Sequence, residues 1–194
     1  MKVKIQFAWL LPLFAVCLLL SERQIYTLLA LLAAAVHETG HILAARILKI
    51  KLELFSLDLL GARLTTSGRL CSYRDEAILC AAGPLANALT GLLALAFVPY
   101  VGELREHLLF FAAASLSLGF LNLLPIRSFD GGRILHCLLC RTVSQRIAET
   151  VITSLSFVCC FALWCFSVYL MLRAGASLSL FFFSVSLFAR LFMA

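Results

Sequence analysis

Residues 26–48 read YTLLALLAAAVHETGHILAARIL, an apolar stretch long enough to cross a bilayer as one helix. Near its middle stand three ionisable side chains, His37, Glu38 and His41, spaced as H-E-x-x-H. Each such group at mid-membrane costs about 2.5–3.5 kcal/mol on insertion scales, so their presence in one helical turn marks a functional site. On a helix His37 and His41 project from one face, one turn apart. Two imidazoles so placed suit a single zinc ion, and the carboxylate beside them suits general-base work on a water at that ion.

The rest of the chain agrees with a membrane setting. Of its 194 residues 63% are hydrophobic and 13% charged, against about 45–50% and 25% in soluble domains. A net charge of +6 would suggest nucleic acid in a soluble protein, but here the distribution of the basic residues carries the meaning, and no nucleic-acid partner is expected. Most of the eight cysteines lie in apolar runs, where Cys acts as a small hydrophobe, so no disulfide framework is expected. Cys137 and Cys140 form a lone C-x-x-C enclosing two leucines, which reads as one face of an apolar helix.

Hydrophobic runs of spanning length recur at Val3–Leu20, Tyr26–Leu48, Glu76–Val98, Leu108–Leu124, Ile147–Leu172 and Ser177–Met193. The fold class predicted is an all-α membrane protein of six transmembrane helices, one polytopic domain over residues 1–194 with no soluble domain. The first run lacks an A-x-A cleavage site and reads as a retained helix. With the N-terminus inside, cytoplasmic segments hold Lys2, Lys4, Arg46, Lys49, Lys51, Arg63, Arg69, Arg74, Arg127, Arg133, Arg141, Arg146 and Arg190. Only Arg23, Arg105 and Arg173 fall on the other side, so both termini are predicted cytosolic and H-E-x-x-H lies in the cytosolic half of its helix. Between the second and third runs, residues 52–66 alternate partially around Gly61, which predicts a small β-hairpin at the membrane surface.

A hydrolytic zinc takes a third protein ligand and keeps one position for water. The best candidate is Asp130, in Asn122-Leu-Leu-Pro-Ile-Arg-Ser-Phe-Asp130-Gly-Gly-Arg133. Pro125 breaks the fourth run, and Gly131 and Gly132 permit turns that a Cβ would resist. Broken backbone at membrane depth is tolerated where it is buried in protein or lines a watery cavity. The alternative for Asp130 is a cap on a helix starting near Gly132. Of the other histidines, His107 is expected in a solvated outer loop with Glu103, Arg105 and Glu106, and His136 in a packing role.

H-E-x-x-H, a later N-x-x-P followed by D-G, and Gly83-Pro84-Leu85-Ala86-Asn87 between them occur on separate spans within residues 26–135. In this combination the chain resembles the site-2 proteases, a family of intramembrane zinc metalloproteases, and most resembles their sporulation-type branch without its C-terminal nucleotide-sensing domain. The resemblance implies one zinc per chain held by His37, His41 and Asp130, with Glu38 as catalytic acid and base. It further implies that Asn122 and Asn87 position substrate or its oxyanion. The alternatives for the asparagines are interhelical hydrogen bonds, and for Gly83-Pro84 a kink and close-packing device.

The activity expected is hydrolysis of peptide bonds in membrane-embedded or membrane-tethered proteins, with the bilayer and an unidentified regulatory membrane protein as further partners. A zinc transporter and a non-cleaving binder of transmembrane segments are the rival readings. A transporter calls for polar stations across the whole bilayer, whereas here they cluster near one side.

Overall fold

The computed structural model describes residues 4–7, 24–50, 52–58, 61–66, 72–174, 181 and 184–188. The chain forms two compact units, Met1–Phe120 and Leu121–Ala194. Among the described residues, three helical stretches are long and apolar enough to cross a membrane: Gln24–Ile47, Tyr73–Tyr100 and Gln145–Arg173.

In the first unit, strands β1 (Lys4–Phe7), β2 (Leu52–Asp58) and β3 (Gly61–Thr66) form one sheet in that order. β2 and β3 run antiparallel, with Asp58 opposite Gly61 and a register irregularity between Leu52 and Leu54. They cover the stretch whose alternation suggests a hairpin. β1 runs parallel to β2, Lys4 opposite Leu54 and Phe7 opposite Leu57. This strand occupies the first described residues of the expected first span, Val3–Leu20. Lys4-Ile5-Gln6-Phe7 alternates polar and apolar with the period of a strand, and β2 offers it an open edge. Residues 8–20 of that span lie outside the described residues, as does most of the sixth, in which residues 181 and 184–188 are helical.

Helix α1 (Gln24–Ile47) buries Ala33, His37, His41, Ala44 and Ala45, a stripe at three- and four-residue spacing. It ends in a Schellman turn. Ile50 N–H donates to the Ala45 carbonyl at 2.9 Å and Lys49 N–H to that of Arg46 at 3.1 Å. Lys49 takes the left-handed position of that turn, with φ 54°. Ile50 folds back onto a cluster of Ala44, Ala45 and Leu79, the apolar contact that accompanies such a cap.

Helix α2 (Tyr73–Phe97) opens with Ser72 as N-cap, its hydroxyl accepting from Asp75 N–H at 3.2 Å. Asp75 and Glu76 in its first turn oppose the positive end of the helix dipole. The α1–α2 contact is close because small residues meet there. A Cβ on Gly40 would lie 2.6 Å from the Ala82 carbonyl oxygen and 2.9 Å from the Ala86 Cβ. The other side of α2 presents Leu85, Leu89 and Leu92, 65%, 61% and 60% exposed, an apolar stripe suited to hydrocarbon. A 3-10 turn, Val98–Tyr100, extends α2.

Helix α3 (Arg105–Asn122) packs on α2 through buried Ala112, Ser115 and Gly119. A Cβ on Gly119 would sit 3.2 Å from the Asn87 Cβ and from the Pro84 carbonyl oxygen. His107 departs from the solvated loop expected of it. It belongs to the first turn of α3 and stacks on Tyr26, ring centroids 5.7 Å apart, because α1 begins beside it with an aromatic face.

In the second unit, α4 (Asp130–Leu139) and α5 (Gln145–Ala174) are joined by a tight turn. Residues 123–129 leave helical geometry at Pro125 and fold on themselves, with Ile126 N–H donating to the Leu124 carbonyl at 2.7 Å and Phe129 N–H to that of Ile126 at 2.8 Å. Ser156 of α5 anchors this loop: its hydroxyl accepts from Arg127 N–H at 2.8 Å and donates to the Ile152 carbonyl at 2.7 Å. Ile126 and Phe129 fill a core with Cys160 and Leu187. Gly131 and Gly132 are required by contact rather than by dihedral angle. A Cβ on Gly131 would strike the Leu123 and Leu124 carbonyls, and one on Gly132 the carbonyl of Ile126.

Candidate metal centre

α1 carries the two imidazoles inward. His37 and His41 are 5% and 6% exposed, their rings nearly perpendicular with centroids 4.8 Å apart. Their Nε2 atoms lie 3.2 Å apart. Two nitrogens each bound at about 2.0–2.1 Å to a tetrahedral zinc stand about 3.3 Å from one another, so the spacing suits one shared ion.

The opposite nitrogens are taken up by α2. His41 Nδ1 lies 2.8 Å from the Leu79 carbonyl oxygen. A carbonyl only accepts, so Nδ1 carries a proton and Nε2 is the nitrogen that can offer a lone pair to a metal. Pro84 lies in the next turn, inside α2. His37 Nδ1 lies 3.2 Å from the side-chain amide of Asn87, which is fully buried.

Gly83 faces the pair directly. A Cβ there would clash with His41 Nε2 and would sit 2.6 Å from His41 Cε1 and 2.8 Å from His37 Nε2. The absence of a side chain at 83 therefore leaves the space into which both donor nitrogens point.

Among the described residues, the ligand atoms of His37, His41 and Asp130 lie within 4.8 Å of one another, and no other group of three or more His, Cys, Asp and Glu does so. Asp130 is half-buried at the first position of α4. The capping alternative does not describe it: the N-cap is Phe129, which makes no side-chain cap bond, and α4 begins at Asp130 rather than near Gly132. Two imidazoles and a carboxylate form a donor set of the kind that holds catalytic zinc. Glu38, next to His37 on α1, is half-buried. Asn122 is the last residue of α3 and also half-buried. His136 belongs to α4, its Nε2 3.5 Å from Cys140 Sγ.

Two contributors are not evident in the sequence: the Leu79 carbonyl and the space at Gly83. A signal existed for part of this. Leu79, Gly83 and Asn87 recur every four residues, so they share the face of α2 that meets the histidines.

Residues 99–163 match Peptidase family M50, a segment that contains Asn122 and Asp130 and leaves H-E-x-x-H outside it. The fold is similar to that of the site-2 protease from Methanocaldococcus jannaschii, with a TM-score of 0.74 at 20% identity, covering 100% of this chain and 91% of that one. No curated protein sequence matches.

Proposed function

We propose that this chain is an intramembrane zinc metalloprotease of the site-2 type, cleaving membrane-embedded or membrane-tethered proteins. The observation that carries the reading is the meeting of His37, His41 and Asp130, with Glu38 supplied by the same H-E-x-x-H. The M50 match and the site-2 protease fold support it from outside the chain. His37 and His41 would hold the ion through Nε2 and Asp130 through its carboxylate, one zinc per chain.

Zinc in such a site supplies Lewis acidity, polarising the scissile carbonyl and acidifying a water. Glu38 takes the proton of the attacking water and returns it to the leaving amine. Asn122, beside the break at Pro125, donates its amide hydrogens to the oxygen of the carbonyl as negative charge develops there. A helical substrate hides its carbonyls in its own hydrogen bonds, so it must be drawn out first. Strand addition along the β2–β3 hairpin would hold it extended. The excess of basic residues in the loops on one side supports a reading in which both termini and the active site face the cytosol.

Incubation of the purified chain in proteoliposomes with a membrane-tethered reporter is expected to release one fragment. A chelator should stop the reaction and added zinc should restore it. Zinc flux into the vesicles with no cleavage would instead establish a transporter.

A further inference from the structure

We propose that Asn87 is a positioning residue for the metal ligand His37. Its amide carbonyl accepts the Nδ1 proton of that imidazole and so selects the tautomer whose Nε2 lone pair faces the metal. Ser115 of α3 holds the amide in that orientation. The proposal rests on the metal site described above and deepens it.

The two ends of a primary amide have the same shape, so its orientation follows from the inventory of donors and acceptors around it. As placed, the Asn87 amide nitrogen is 3.2 Å from His37 Nδ1 and its oxygen is 3.4 Å from Ser115 Oγ, which donates to it. Ser115 Oγ also lies 3.2 Å from the Asn87 backbone carbonyl oxygen and 3.2 Å from Thr90 Oγ1. The hydroxyl of Thr90 is directed at backbone carbonyls, 2.9 Å from Ala86 O and 3.3 Å from Asn87 O, so its single proton is used there.

In that placement the amide oxygen faces Ser115. The one proton of Ser115 would then have three acceptors to serve, namely Asn87 O, Asn87 Oδ1 and Thr90 Oγ1. The amide NH2 would press on His37 Nδ1, driving the ring proton to Nε2 and into the metal position. With the amide turned by half a rotation, its NH2 donates to Ser115 Oγ and Ser115 donates to the Asn87 backbone carbonyl. The amide oxygen then accepts from His37 Nδ1–H. Each group gains a partner of the opposite kind, which matters because Asn87 and Ser115 are both fully buried.

Both rings then reach the same state. His41 gives its Nδ1 proton to Leu79 and His37 gives its own to Asn87, so two Nε2 lone pairs converge at 3.2 Å. Lone pairs that close repel one another unless a cation lies between them. A bonded partner at the far nitrogen of a metal-bound histidine fixes the ring and raises its basicity, and its loss typically weakens metal affinity 10–100-fold.

The test uses the full chain purified in detergent, with zinc affinity by competition and the visible spectrum of the cobalt-loaded form. The wild type is expected to bind one ion. Asn87→Leu, close in volume but unable to accept a proton, should bind zinc about 10–100-fold more weakly and give an altered cobalt spectrum. Asn87→Asp, whose carboxylate can accept the same proton, should restore both to near the wild-type values. A role in packing alone predicts the reverse order, since a buried leucine is tolerated where a buried carboxylate is not. Wild-type zinc binding in Asn87→Leu would overturn the assignment and leave the metal site standing, as would loss of zinc from a folded Asn87→Asp. Absence of zinc from the wild type would overturn both.

Discussion

Glu38→Gln is expected to retain zinc and to cleave a reconstituted substrate about 10²–10⁴-fold more slowly, the span a positioned general base contributes. Glutamine keeps the shape and hydrogen-bonding reach of glutamate but has no basic oxygen to take a proton from water. His37 and His41 are untouched by the change, and they face α2 through Leu79 and Asn87 independently of Glu38. Turnover should therefore fall while metal content does not. Single-turnover cleavage read beside zinc content separates the two quantities. Undiminished cleavage in the glutamine variant would end the assignment of Glu38 as the proton carrier.

The second large effect is expected at a residue with no side chain. Gly83→Ala would put a methyl group 2.6 Å from His41 Cε1 and 2.8 Å from His37 Nε2, inside the contact distance of both rings. The methyl cannot withdraw, because it is fixed to the α2 backbone, and the rings cannot turn without losing the bonds at Nδ1. Displacement of reacting groups by 1 Å costs about 10²-fold in rate, and zinc affinity is expected to fall by at least about as much. Helical content and thermal unfolding in detergent, measured on the same preparation, show whether α1 and α2 remain packed. A folded Gly83→Ala variant that binds zinc as the wild type does would mean that the ion is not held between these two rings.

The imidazole pair was legible because H-E-x-x-H needs only one helix to make one face, and periodicity reports the faces of single helices directly. The break after Asn122 was legible for a similar reason: Pro125 has no N–H to continue a helix, wherever it is. What a neighbouring helix contributes was not. The part played by Gly83 depends on how close α1 comes to α2, which is set by Gly40 against Ala82 and Ala86, a contact between residues some forty apart. The pairing of Asn87 with His37 and Ser115 joins three helices. From sequence it was indistinguishable from an asparagine directed at substrate. Strand β1 was hidden by composition. Lys4–Phe7 runs into a long apolar stretch, and its pairing edge on β2 lies about fifty residues away. Asp130 fits both a ligand and a cap in the sequence, because a cap is defined by where a helix starts, and α4 starts at Asp130, two residues before Gly132.

Zinc content of the detergent-purified chain, wild type beside Asp130→Ala and His41→Ala, probes the site with the fewest intermediate assumptions. One equivalent in the wild type, with a steep loss in each variant, is the result expected of a single ion shared by α1 and α4. A wild type that purifies without zinc and takes up none, or an Asp130→Ala variant as fully loaded as its parent, would contradict it.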